Sequence, residues 1–225
     1  MQLKKIQEYI EKYKRFLRSS KSHEYIYLWE TQQYWQDNFD SISEDWSAMY
    51  EDSLQSNHTR RLWKTTAYRP KEVMLKLIKM RDDFVKQAFR DLLNEDKEIL
   101  GRIDRFIFYC DQLLMEYKKT NPNSIENNHY QDYPILSLYL AFQYPAQYNY
   151  YNFQLFCDSL QKLGAMKIPA SDDIVRYFKT SRTLYQFLLK DEEVLELHQN
   201  RLSEDEHYTE TSLLMVYEFF LVMSL

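Results

Sequence analysis

Between Asn127 and Tyr151 the chain reads Asn-Asn-His-Tyr-Gln-Asp-Tyr-Pro-Ile-Leu-Ser-Leu-Tyr-Leu-Ala-Phe-Gln-Tyr-Pro-Ala-Gln-Tyr-Asn-Tyr-Tyr. Pro134 suits the first turn of a helix and Pro145 ends one, because proline fixes φ and donates no amide to a helix interior. The apolar run between them therefore reads as a short helix, followed by an aromatic loop. Seven of the 20 tyrosines fall in this stretch. Flat rings with one polar edge serve a tight core and also the stacking of a planar ligand such as a nucleobase, and the composition leaves both readings open.

Outward from this segment the chain keeps the same character. With 225 residues, 44% apolar and 16% aromatic, it can bury a sizeable core. Only two glycines occur, Gly101 and Gly164, which argues against glycine-rich phosphate loops and tight glycine hairpins and leaves helices. Apolar spacing of three and four predicts about ten of them. Leu3, Ile6, Ile10, Tyr13 and Leu17 make one stripe; Pro70 opens another helix with Val73, Met74, Leu77 and Ile78; Phe84, Ala88 and Leu92 continue after a break. Ser43 reads as a cap, with Glu44 and Asp45 in the first turn behind it. The longest stripe, from Ile99 to Tyr117, should close at Asn121-Pro122. The expected fold is all-α, a compact multi-helix domain over residues 1–225 with an aromatic-rich core. The Asn121 to Gln131 turn is the best candidate boundary for a subdivision into 1–121 and 131–225.

Leu213, Leu214, Met215, Val216, Phe219, Phe220, Leu221 and Val222 form a nearly all-round apolar helix, which must be buried in the chain or packed on a partner. No apolar run is long enough to span a bilayer and the first residues carry no signal region, so a cytoplasmic chain without a membrane anchor is expected. Cys110 and Cys157 are flanked by apolar residues and are expected as buried thiols rather than a bridge.

Residues 1–80 carry 14 Lys and Arg against 11 Asp and Glu, a balance of +3, while the rest of the chain carries 15 against 23, a balance of −8. A chain with net charge −5 is not steered to DNA as a whole, so nucleic-acid contact requires a local basic surface in the first third. Arg60, Arg61, Trp63, Lys64, Tyr68 and Arg69 lie together without helical periodicity, a composition suited to holding phosphates while stacking a base. The same residues equally fit a loop whose rings plug the core. Lys4, Lys5, Lys12, Lys14, Arg15 and Arg18 on the back of the first helix would extend the positive surface or be a solvated face. Eight acidic residues between Asp191 and Glu210 read as a solvated face.

No P-loop is present and the histidines lack zinc-site pairing, so no cofactor and no metal are expected. Asp91, Glu95, Asp96 and Lys97 echo a metal-dependent nuclease only loosely. Arg201 and His207 are spaced similarly to the Arg and His of HEPN ribonucleases, where such a pair performs acid-base cleavage. Leu202 stands where that family favours a polar residue.

Asn127 to Asp132, the run Leu-Ser-Leu-Tyr-Leu from Leu136 to Leu140, and Tyr144-Pro145 with Tyr148 together resemble N-terminal regions of bacterial McrB-like proteins. Leu62-Trp63 ahead of Pro70 to Ile78, and Phe89 to Leu93 running into Arg102, Phe106 and Asp111, extend the resemblance loosely over most of the chain. It implies a non-enzymatic specificity module of a modification-dependent restriction system. Its partners would be DNA, including modified bases, an AAA+ GTPase motor domain and a McrC-like nuclease subunit. Motor motifs are absent from this sequence. On that reading Arg60, Arg61, Lys64 and Arg69 hold phosphates, Trp63 or Tyr130 stacks on an exposed base, and Tyr68 and His129 complete the surface. The alternatives are a helical protein-interaction module of a phage-defence complex, using the acidic C-terminal third and the apolar last helix, and an HEPN-like ribonuclease.

Overall fold

The computed structural model describes residues 1–55, 62, 68–127, 129–131 and 133–225. Among these residues there are eleven α-helices, one 3₁₀ helix and no strand. The helices are α1 Leu3–Leu17, a 3₁₀ turn Ser20–Tyr25, α2 Tyr27–Asn38, α3 Trp46–Ser53, α4 Pro70–Met80 and α5 Asp82–Leu92. They continue as α6 Ile99–Thr120, α7 Tyr133–Gln143, α8 Phe153–Lys162, α9 Ile174–Leu188, α10 Glu192–Gln199 and α11 Leu214–Ser224. Two compact units divide the chain: residues 1–33 with 140–225, and residues 34–139. The Asn121 to Gln131 turn, expected as the place of subdivision, lies inside the second unit.

Side chains set the helix boundaries by satisfying the amides that a helix start leaves orphaned. Asp45 accepts from the Ala48 amide at 2.9 Å, Asn152 from Leu155 at 2.9 Å, Asp173 from Arg176 at 3.0 Å and Asp191 from Val194 at 3.2 Å. The cap of α3 is thus Asp45 rather than Ser43, whose hydroxyl is bonded to the Asp45 carbonyl instead. Pro70 is the first residue of α4, as its missing amide requires. At the end of α8 the Gly164 amide bonds the Gln161 carbonyl and the Ala165 amide bonds the Leu160 carbonyl, with Gly164 at φ 66°. That is a Schellman cap, whose left-handed residue favours glycine.

In the first unit α11 packs on α1, α8 and α9. Leu214, Val216, Phe219, Phe220 and Val222 are all buried, and Phe219 and Phe220 meet the rings of Tyr13 and Tyr177 at 5.6 and 6.1 Å. Burial at about 2 kcal/mol per large apolar side chain makes this helix the centre of the unit. The apolar last helix is therefore core, which removes it as the exposed surface invoked for a protein-interaction module.

The helix also buries Glu218, whose oxygens take Arg201 Nη1 at 2.8 Å and Nη2 at 2.5 Å, and the Tyr13 hydroxyl. Arg201 further donates to the Ser22 carbonyl and to His198 Nδ1, and its guanidinium lies over the Trp29 ring at 4.8 Å. Burial and the Arg201 charge hold His198 well below the usual histidine range.

The second unit is built around rings. Phe89 lies 5.1 Å from both Phe106 and Tyr139 and 5.2 Å from Trp46, and the Tyr50 and Tyr139 hydroxyls bond one another. Arg102, almost fully buried, crosses from α6 to the Leu92 carbonyl at the end of α5 and to Glu95. Cys110 is buried and its thiol is pushed well up by desolvation, while Cys157 is only half-buried; both are free. No helix among the described residues is long and apolar enough to cross a membrane.

Candidate nucleic-acid interface

Of the eight residues expected at a nucleic-acid surface, Arg60, Arg61, Trp63 and Lys64 lie outside the described residues. The other four converge. Tyr68 and His129 meet edge to face with centroids 5.4 Å apart, and the Tyr130 hydroxyl donates to the Pro70 carbonyl at 2.6 Å. The start of α4 and the polar turn before α7, some sixty residues apart in sequence, are thereby tied together.

The individual roles differ from those expected. Tyr130 has no exposed surface and its ring packs against Phe106, so in this conformation it presents no face to a base. Its place in the core follows from having both an apolar pocket for the ring and a backbone acceptor for the hydroxyl. His129 is buried as well. Arg69 donates to Glu72 at 3.1 Å and lies 3.8 Å from Glu126, which also binds Lys76. The Lys76 hydrogen bond, opposed by burial and helped by the Arg69 charge, holds the Glu126 carboxyl below its usual range. Two cations therefore flank one nearly buried carboxylate. The sequence signals neither Glu126 nor Lys76 as part of the site, beyond a glutamate three residues before His129 in a turn with no other acidic residue.

Part of the basic back of α1 is neutralised within its own unit. Lys14 is buried among Glu11, Asp191 and Glu193, and Arg18 pairs with Glu193. Glu11 and Asp191 together raise the Lys14 ammonium above its ordinary value against the opposing effect of burial. Lys12 and Lys162 both donate to the Met223 carbonyl near the end of α11, where cations complement the helix dipole. Part of the acidic stretch is thus spent on α1, while Glu204, Asp205 and Glu206 are exposed.

Arg201 and His207 are engaged elsewhere. The arginine is held in a buried ion pair by Glu218, and His207 Nδ1 accepts from the Ser203 amide at 3.0 Å. Asp91 sits in a helix and bonds Lys97 and Arg105; burial would raise its carboxyl, but the two cations hold it below the usual range. No group of metal-ligating side chains is assembled among the described residues. Comparison with family models, with curated proteins and with solved structures finds no match.

Proposed function

We propose that this chain is a cytoplasmic, non-enzymatic DNA-recognition module of a McrB-like modification-dependent restriction system. It would deliver target DNA to an AAA+ GTPase motor and a McrC-like nuclease. The observation that carries the reading is the Tyr68–His129 contact, which joins the basic and aromatic stretch before α4 to the segment bearing the McrB-like resemblance. Arg60, Arg61 and Lys64, which precede Tyr68 in the sequence, hold the phosphates; Trp63 supplies the stacking ring in place of Tyr130, which is buried. Tyr68, His129 and Tyr130 tie the start of α4 to the turn before α7 rather than touch the base.

The test is fluorescence anisotropy of a duplex carrying one modified cytosine and of the same duplex unmodified. Binding of either is expected, with Trp63→Ala weakening it by about 1–3 kcal/mol, the usual worth of one base–aromatic stack. No binding of either duplex, or full binding by Trp63→Ala, counts against this surface.

A further inference from the structure

One face of α6 is left uncovered. Leu100, Asp104, Phe108, Gln112, Met115 and Lys119 follow one another at steps of three or four along it, and all six are exposed, Phe108 at 57% and Met115 at 50%. The opposite stripe, Ile103, Phe106, Cys110 and Leu113, is the buried one. Asp104 and Lys119 take part in no ion pair among the described residues. Beside this face a hollow of 420 Å³ opens between α5 and α6, floored by Phe84 and Leu113.

We propose that a second copy of this chain docks on this face, with the two α6 helices antiparallel. Four of these residues, Asp104, Phe108, Met115 and Lys119, are their own complement when the order is reversed. A two-fold axis passing between Asp111 and Gln112 sets Asp104 opposite Lys119 of the second copy at both ends and Phe108 opposite Met115 of the second copy on either side of the centre. An isologous interface requires this self-complementarity, each contact occurring twice. The hollow beside Phe84 gives the facing Phe108 and Met115 side chains a place to leave water. A nucleic acid would be drawn to the Lys119 end and repelled at the Asp104 end, and a parallel arrangement would set Asp104 against Asp104. The antiparallel copy satisfies both ends.

Sedimentation of the intact chain across the micromolar range tests this. The mass is expected to rise from 27.7 kDa to twice that value as concentration increases. Asp104→Lys and Lys119→Glu should each weaken association by about tenfold, because each substitution creates like-charge contacts at two places. The two combined in one chain should restore it, since the pair is merely reversed. Phe108→Asp, exposed and so without effect on helix content by circular dichroism, should remain monomeric. A monomer throughout the range overturns the proposal. So does an oligomer that Phe108→Asp leaves intact, or a double reversal no better than the singles.

Discussion

Replacing Glu218 by glutamine changes one charge and almost no volume, so it isolates the electrostatic role of the buried network. Glu218 has no exposed surface and Arg201 only 4% of its side chain. Among the described residues, the carboxylate is the one anion that the guanidinium and the Tyr13 hydroxyl share. Burial and the neighbouring Glu218 charge keep the Tyr13 phenol protonated far above its usual range, so its hydroxyl donates to the carboxylate. With glutamine, Arg201 is a buried cation that has lost its counter-charge and keeps neutral partners, among them the glutamine oxygen, the Ser22 carbonyl and a neutral His198. Removing one partner of such a pair costs about 3–5 kcal/mol, a large share of the roughly 5–15 kcal/mol that holds a domain together. Glu218→Gln should therefore lower the urea midpoint by an amount equivalent to about 3 kcal/mol. Combining Glu218→Leu with Arg201→Met should cost much less than the sum of the single changes, since no unpaired charge is left. A loss below about 1 kcal/mol in Glu218→Gln, or strict additivity in the double variant, would refute the assignment of this pair as the polar anchor of the first unit.

His198 accepts from Arg201, which has no acceptor to offer, so its Nδ1 is unprotonated and the ring is neutral. Its folded pKa is depressed, so below about pH 6.5 the unfolded chain binds a proton that the fold does not. Stability present above that pH should fall as pH drops, at up to about 1.4 kcal/mol per unit. His198→Gln should flatten urea midpoints measured between about pH 5 and pH 7; an unchanged slope contradicts the neutral assignment. Gly164→Ala forces a side chain into φ 66° and brings its Cβ to 2.9 Å from Gln2, so a loss of about 1–2 kcal/mol in chemical denaturation is expected. Glu126→Gln releases Arg69 and Lys76 from their shared carboxylate and should tighten duplex binding at low salt while steepening its salt dependence; weaker binding would place these cations outside the DNA surface.

Helix positions were legible because their signals are local. Pro70, Asn121-Pro122, Gly164 and the three-and-four spacing of α6 act within a few residues of themselves, and each marks a boundary found in the structure. The depth of Tyr130 was not legible, since an aromatic ring beside polar residues has the same sequence signature whether its hydroxyl meets water or the Pro70 carbonyl. The pairing of Lys14 and Arg18 on the back of α1 was hidden for a related reason. Which charges are solvated depends on what packs against them, and the acids that neutralise Lys14 and Arg18 lie far along the chain at Asp191 and Glu193. The role of Glu126 was not legible because its cations lie fifty residues or more earlier, Arg69 at the cap of α4 and Lys76 within it.

The reading of this chain as a DNA-recognition module is tested most directly by the salt dependence of duplex binding with Arg60, Arg61 and Lys64 replaced together by alanine. Each phosphate contact to duplex DNA contributes about 0.9 to the slope of log affinity against log salt. The account predicts that the triple variant binds more weakly and that its slope flattens by up to about three such contacts, while the fold, monitored by circular dichroism, is unchanged. Identical affinity and slope in the folded triple variant would contradict it.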